Sequence, residues 1–125
     1  MEKLNLSLEF HKKLSITVLD GEFNQYEGEE DIHALADMYQ DILHRTEQKD
    51  FILEFHTPRI GTVGINTLTE IYQIVADNDG RLILINFPKS EMRYMEITGF
   101  IHYVTCLSNR LELNTAFQAG QESTN

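Results

Sequence analysis

One cysteine in 125 residues rules out an internal disulfide and suits a reducing compartment. Cations are scarce. Ten Lys and Arg stand against twenty Asp and Glu, a formal charge of −10. A field of that sign repels phosphate backbones and anionic lipid, so no direct nucleic-acid partner and no membrane insertion are expected. No apolar run approaches the roughly 20 residues of a membrane helix. The first thirteen residues lack a basic stretch followed by an apolar one, so no signal peptide is expected and the expected location is cytoplasmic. HExxH, HxxxH and CxxC spacings are all missing. His33 and His44 share a helix face but lie roughly 16 Å apart along it, too far for one ion. GxGxxG, GxxxxGK and GxSxG are missing too. Neither a metal nor a cofactor nor a catalytic residue is therefore expected.

What is present is a regular alternation of two hydrophobic periods. Leu4, Leu6, Leu8 and Phe10 recur at every second residue, which predicts a half-buried strand. Leu14, Ile16, Val18 and Leu19 predict a second strand ending at Asp20-Gly21, joined to the first by a short hairpin at 11–13. The acidic run 27–31 suits the approach to a helix N-terminus. Residues 32–46 then have helical spacing, with Arg45 at the end that favours a cation. Phe51–Phe55, apolar but for Glu54, and Arg81–Ile85, apolar after Arg81, are expected as buried central strands. Between them, residues 65–75 trace a helical stripe that 77–80 should stop, with Gly80 just past its end. Pro88 opens a third helix closing at Thr98-Gly99, and 103–107 read as a last strand. Ser108 or Asn109 can cap a final helix carrying Leu113, Ala116 and Phe117. The order β-β-α-β-α-β-α-β-α implies an α/β fold with a mostly parallel sheet begun by an antiparallel hairpin. One domain over 1–117 and a flexible tail over 118–125 are expected.

Two segments invite chemistry. Glu54 and His56 are alternate residues of a strand and so share a face. With Thr57 or Cys106 they could form a nucleophile group, although a lone Cys in a strand is more often a small buried hydrophobe. The second segment is Arg59–Leu68, which joins a buried strand to an amphipathic helix. Thr62 is placed to be the N-cap, and Gly61 and Gly64 to permit a tight turn. A hydroxyl at an exposed helix N-terminus is also a good phosphate position, because free amides and the helix dipole favour negative charge.

From Leu14 to Phe117 the chain resembles the STAS domain, in particular the bacterial anti-sigma-factor antagonists. Residues 19–24 (LDGEFN) resemble the family's ending of its second strand. Residues 60–65 (IGTVGI) stand where the family has an apolar residue, Asp-Ser-Ser-Gly and Leu. Residues 95–100 (MEITGF) resemble the Ser/Thr-Gly-Leu ending of its third helix, and 115–117 (TAF) the ending of its last.

The resemblance implies a mixed sheet of four to five strands with helices mainly on one face. It implies a non-enzymatic regulator of transcription that docks reversibly to an anti-sigma factor or serine/threonine protein kinase. Phosphorylation by that kinase ends the interaction and a PP2C-type phosphatase restores it. The phosphorylated position maps to Thr62. The partner-binding surface maps to Glu22, Asn24, Gly61, Thr62, Val63 and Gly64. The chain departs from the family pattern at Gly61, where the family has Asp, at Val63, where it has a second Ser, and in carrying Thr at the site itself. The alternative role is an unswitched scaffold or an accessory subunit of an ABC-type transporter. Self-association into a homodimer stays open.

Overall fold

The computed structural model describes residues 3–26 and 28–116. β1 (Asn5–His11) and β2 (Leu14–Asp20) form the expected antiparallel hairpin. Lys12, at φ 58°, helps turn it. Then come α1 (Glu29–Arg45), β3 (Phe51–Phe55), α2 (Gly61–Asp77), β4 (Leu82–Ile85), α3 (Lys89–Thr98) and β5 (Thr105–Leu107). A 3-10 turn, Phe100–His102, stands between α3 and β5. Residues 112–116 are helical and form α4. The architecture is the expected α/β type.

The five strands lie in the order β1-β2-β3-β4-β5. β2 through β5 are parallel neighbours. Each crossover therefore advances one strand in the same direction. Crossovers between parallel strands are right-handed, so a sheet built this way sends every connecting helix to one face. The front core matches that rule. It gathers Leu35, Tyr39 and Ile42 of α1, Leu68, Ile71 and Val75 of α2, and Met95 of α3 over Leu19, Leu53, Phe55, Leu82 and Leu84. Thr17, Leu53, Leu84 and Cys106 follow one another across the sheet by register, and this row faces the front. The alternate residues Ile16, Val18, Ile52, Ile83 and Ile85 form a back core with Leu113 of α4. β3 and β4 are buried throughout, as their apolar runs predicted, but β4 starts at Leu82 and the expected first residue, Arg81, is exposed ahead of it and pairs with Asp50.

Several boundaries differ from the sequence reading. α1 starts at Glu29, not near Ile32, because the acidic run is its first turn and not its approach. Glu27 lies outside the described residues. After α2 the left-handed position is Asp79, at φ 61°, and not Gly80. Asp79 N–H bonds to the Ala76 carbonyl and Gly80 N–H to the Val75 carbonyl, so the pair closes the helix with Gly80 one place later than expected. Tyr103 and Val104 are not strand: Tyr103 N–H bonds back to the Phe100 carbonyl to close the turn at 100–102, and β5 begins only at Thr105. Phe10 is 65% exposed, since β1 is an edge strand. Phe117 and the tail 118–125 fall outside the described residues. Among the described residues, no helix is long and apolar enough to cross a membrane.

Candidate functional site

The segment between β3 and α2 is held from two sides. Gly61 opens α2 at φ 73°, a conformation that costs any residue with a Cβ. An added Cβ would also fall 2.2 Å from Gln25 Oε1. Gln25 Nε2 donates to the carbonyls of Phe23 and Ile60, each at 3.1 Å. On the other side Glu91 of α3 reaches across, and its Oε1 accepts from Ile60 N–H and Gly61 N–H, each at 3.3 Å. Thr62 is exposed in the first turn. It is not the N-cap: that position is Ile60, with no side-chain cap bond. The left-handed turn at Gly61 carries the chain into the helix before Thr62 is reached, and Glu91 meets the amides that precede it.

Val63 is half-buried and its carbonyl accepts from the Thr67 hydroxyl. Gly64 belongs to the core and is not available to a partner, which corrects its place in the expected docking surface. A Cβ there would sit 2.6 Å from Ile60 Cγ2 and 3.2 Å from the Phe23 ring. Its role is close approach: the loop after β2 packs against the first turns of α2 through Phe23, Gln25 and Gly28.

That loop carries the other expected docking residues. Glu22 is half-buried and its backbone forms an isolated parallel β-bridge with that of Lys3, just before β1. Asn24 Oδ1 accepts from Tyr26 N–H at 2.9 Å, a turn that leaves the Tyr26 ring 85% exposed. Asn24 N–H donates to Asp31 Oδ2 at 2.7 Å. The Asp31 carboxyl is pushed above its ordinary range, first by burial. The Asn24 bond opposes that rise and Glu30 adds to it. A raised carboxyl disfavours folding above its folded value and relaxes as pH falls through it. Asp31→Asn keeps an acceptor for Asn24 N–H and removes the buried charge. It should shift stability at pH 7 by less than about 1 kcal/mol, whereas Asp31→Ala should cost about 1–2 kcal/mol by orphaning that amide. Urea midpoints of the two variants check the contrast.

Glu54 and His56 do meet, with Nε2 and Oε1 2.9 Å apart. Arg110 was missed by the sequence reading. It lies 56 positions downstream and grips both Glu54 oxygens, while its Nη2 also donates to Glu9 at 2.7 Å. The Glu54 carboxyl is held below its ordinary value, first by the Arg110 bonds, with burial opposing and the His56 bond assisting. Thr57 and Cys106 do not join this group. They line a separate cleft at the carboxyl ends of the parallel strands, which neither Glu54 nor His56 lines. The four residues are thus not brought together as a nucleophile constellation. Among the described residues no group of three His, Cys, Asp or Glu could hold a metal ion.

No protein-family model matches the chain, and no curated protein does.

Proposed function

We propose that the chain is a non-enzymatic, phospho-switched docking protein that acts as STAS anti-sigma-factor antagonists do. The observation that carries this reading is the exposed hydroxyl of Thr62 in the first turn of α2, beside a loop that presents Tyr26. Large aromatic rings with polar tips are favoured anchors of protein interfaces. The docking surface in this reading comprises Glu22, Asn24, Tyr26, Gly61, Thr62 and Val63.

The neighbourhood of Thr62 supplies a switch. Glu91 is bound to the two amides just before it. A phosphate on Thr62 brings about −1.5 to −2 charges to the same helix start. It competes with the Glu91 carboxylate for positive potential and repels it. Partner affinity falls through charge, bulk and a loosened contact between α2 and α3.

The test uses a purified anti-sigma kinase of the histidine-kinase-like serine kinase type, with ATP and mass spectrometry. The expected result is phosphate at Thr62. Thr62→Glu should weaken binding to that kinase at least about tenfold, or 1.4 kcal/mol. Thr62→Ala should bind as wild type but no longer switch. Modification only at Thr57 or Thr67 overturns the site. Equal binding by wild type and both variants overturns the switch and favours the unswitched scaffold.

A further inference from the structure

β1 ends the sheet on one side, and its outer side meets no other strand among the described residues. Lys12 and Lys13 make a two-residue turn closed by the His11–Leu14 pair. The pair that closes such a turn exchanges hydrogen bonds, and bonded pairs alternate along an antiparallel ladder. Asn5, Ser7, Glu9 and His11 therefore bond to β2. The N–H and C=O groups of Leu6, Leu8 and Phe10 point the other way, off the sheet. β2 has the matching parity. Ser15, opposite Phe10, turns its N–H and carbonyl to Gln48, and the Leu19 carbonyl, opposite Leu6, accepts from His56 N–H on the β3 side.

Natural edges are guarded against another strand by proline, lysine, a bulge or short length. This one has none of these. It is seven residues long, contains no Pro, Lys or Arg, and keeps unbroken register with β2. Leu6 and Leu8 are half-buried against the front core, while Phe10, next in the same row, is 65% exposed. A row of outward backbone groups beside an uncovered ring is a template for an added strand.

The strand is its own complement. Laid antiparallel on a second copy about a two-fold axis at Leu8, all seven residues pair. Phe10 then lies beside Leu6 of the copy on the front face. On the back face Ser7 stands opposite Glu9 of the copy, and Asn5 opposite its His11. Glu9, the strand's one formal charge, is already bonded to Arg110 of its own chain. Sliding the register by two residues sets Glu9 against Glu9 in one direction. In the other it runs Phe10 and His11 past the end of the copy's strand. Beyond the strand ends Lys3 approaches Lys13 of the copy, but Lys3 faces Glu30 of its own chain at 3.7 Å.

We propose that the chain self-associates through β1 into a two-fold dimer with one continuous ten-stranded sheet. Cross-strand neighbours share a face, so the helices α1 to α3 of both copies lie on the same side. Joining two identical edges uses up both, and the assembly closes at two. β1 contributes no residue to the docking surface, so a failure of either reading leaves the other standing.

Sedimentation velocity of the full chain, from micromolar to millimolar concentration, is the first test. The expected result is a monomer passing to a dimer and to nothing larger. Each copy carries −10, so added salt should tighten the dimer by screening. Amide exchange at Leu6, Leu8 and Phe10 should slow in the dimer. In a mixed isotope-labelled sample the α protons of Ser7 and Glu9 should show contacts between copies, because unbonded pairs bring Cα atoms to about 4.5 Å. Phe10→Pro deletes an N–H that makes no bond within the chain and a ring that is mostly exposed, so the monomer stays folded. It should weaken the dimer at least about tenfold, since each loss counts twice across a two-fold axis. Phe10→Lys keeps the N–H and should weaken it similarly. Ile97→Lys, at an exposed apolar residue of α3, should leave association unchanged. A monomer at every concentration overturns the proposal. So does a dimer untouched by both Phe10 variants, or one lost equally in Ile97→Lys. Slow exchange of the three amides already in the dilute monomer shows an edge covered by the chain itself and also overturns it. Growth beyond the dimer overturns the two-fold closure, and absence of the Ser7–Glu9 contact overturns the register.

Discussion

Arg110→Met should lower stability by roughly 3 kcal/mol, which is what removing one partner of a buried ion pair costs. The Glu54 side chain is 11% exposed and Arg110 engages both of its oxygens. Without the guanidinium, the carboxylate keeps, among the described residues, the His56 contact on the face of the sheet that carries the aliphatic back core. The urea midpoint should fall with an unchanged slope, because the surface exposed on unfolding is the same. The effect is pH-dependent with a defined sign. Glu54's folded value lies below its ordinary 4.5, so the stabilisation is complete above 4.5 and is lost as pH falls through the depressed value. The gap between wild type and variant is thus widest near neutrality and narrows in acid. Adding Glu54→Leu to Arg110→Met should restore most of the loss, since a buried pair is replaced by apolar groups at little net cost. A double variant as unstable as the single one would show that Arg110 acts through packing, not charge.

Gly64→Val should cost about 3 kcal/mol, at the upper end of what overpacking a core costs. Two effects compete at this position. Any side chain but proline's in place of glycine improves helix propensity, by up to about 1 kcal/mol for alanine. Against that, the first added carbon meets Ile60 Cγ2 at 2.6 Å and the Phe23 ring at 3.2 Å. Ile60 and Phe23 are fully buried, and Ile60 is β-branched, so neither can swing aside. Steric cost wins already for alanine, and the β-branched valine adds two methyl groups to the same gap. Relief comes only by pushing the β2–α1 loop off α2, so Tyr26 and Thr62 should change their relative placement as well. Thermal denaturation and amide shifts around residues 22–26 and 60–64 read both outcomes. A valine variant as stable as wild type would show the loop to be loosely held.

The element order was legible because burial imposes different periods on helices and strands. Phe51–Phe55 and Arg81–Ile85 have apolar residues on both faces, and that marks strands covered on both sides. β1 alternates because an edge strand covers one core only. Glu54 and His56 could be paired from the sequence, since strand neighbours two apart share a face. Arg110 could not be joined to them. Its contact spans 56 positions and depends on where α4 crosses the back of the sheet. The helix beginning at Gly61 was misjudged by local reasoning for a similar reason. Thr62 looked like a cap because a hydroxyl there could serve the first turn, but Glu91 reaches the preceding amides from another helix.

By itself, then, the sequence determined the alternation of elements, the two central strands, the acidic field and the short chemistry of the 59–68 segment. These are consequences of residue type and spacing, which act within a few residues along the chain. Strand order, and with it the placing of α1, α2 and α3 on one face, was decided by the tertiary structure. So were the burial of Gly64, the exposure of Thr62, the Glu54–Arg110 pair and the separation of Thr57 and Cys106 from Glu54 and His56. Each of these depends on which distant segments meet. That is set by the handedness of the crossovers and the packing of whole faces, which no local pattern encodes.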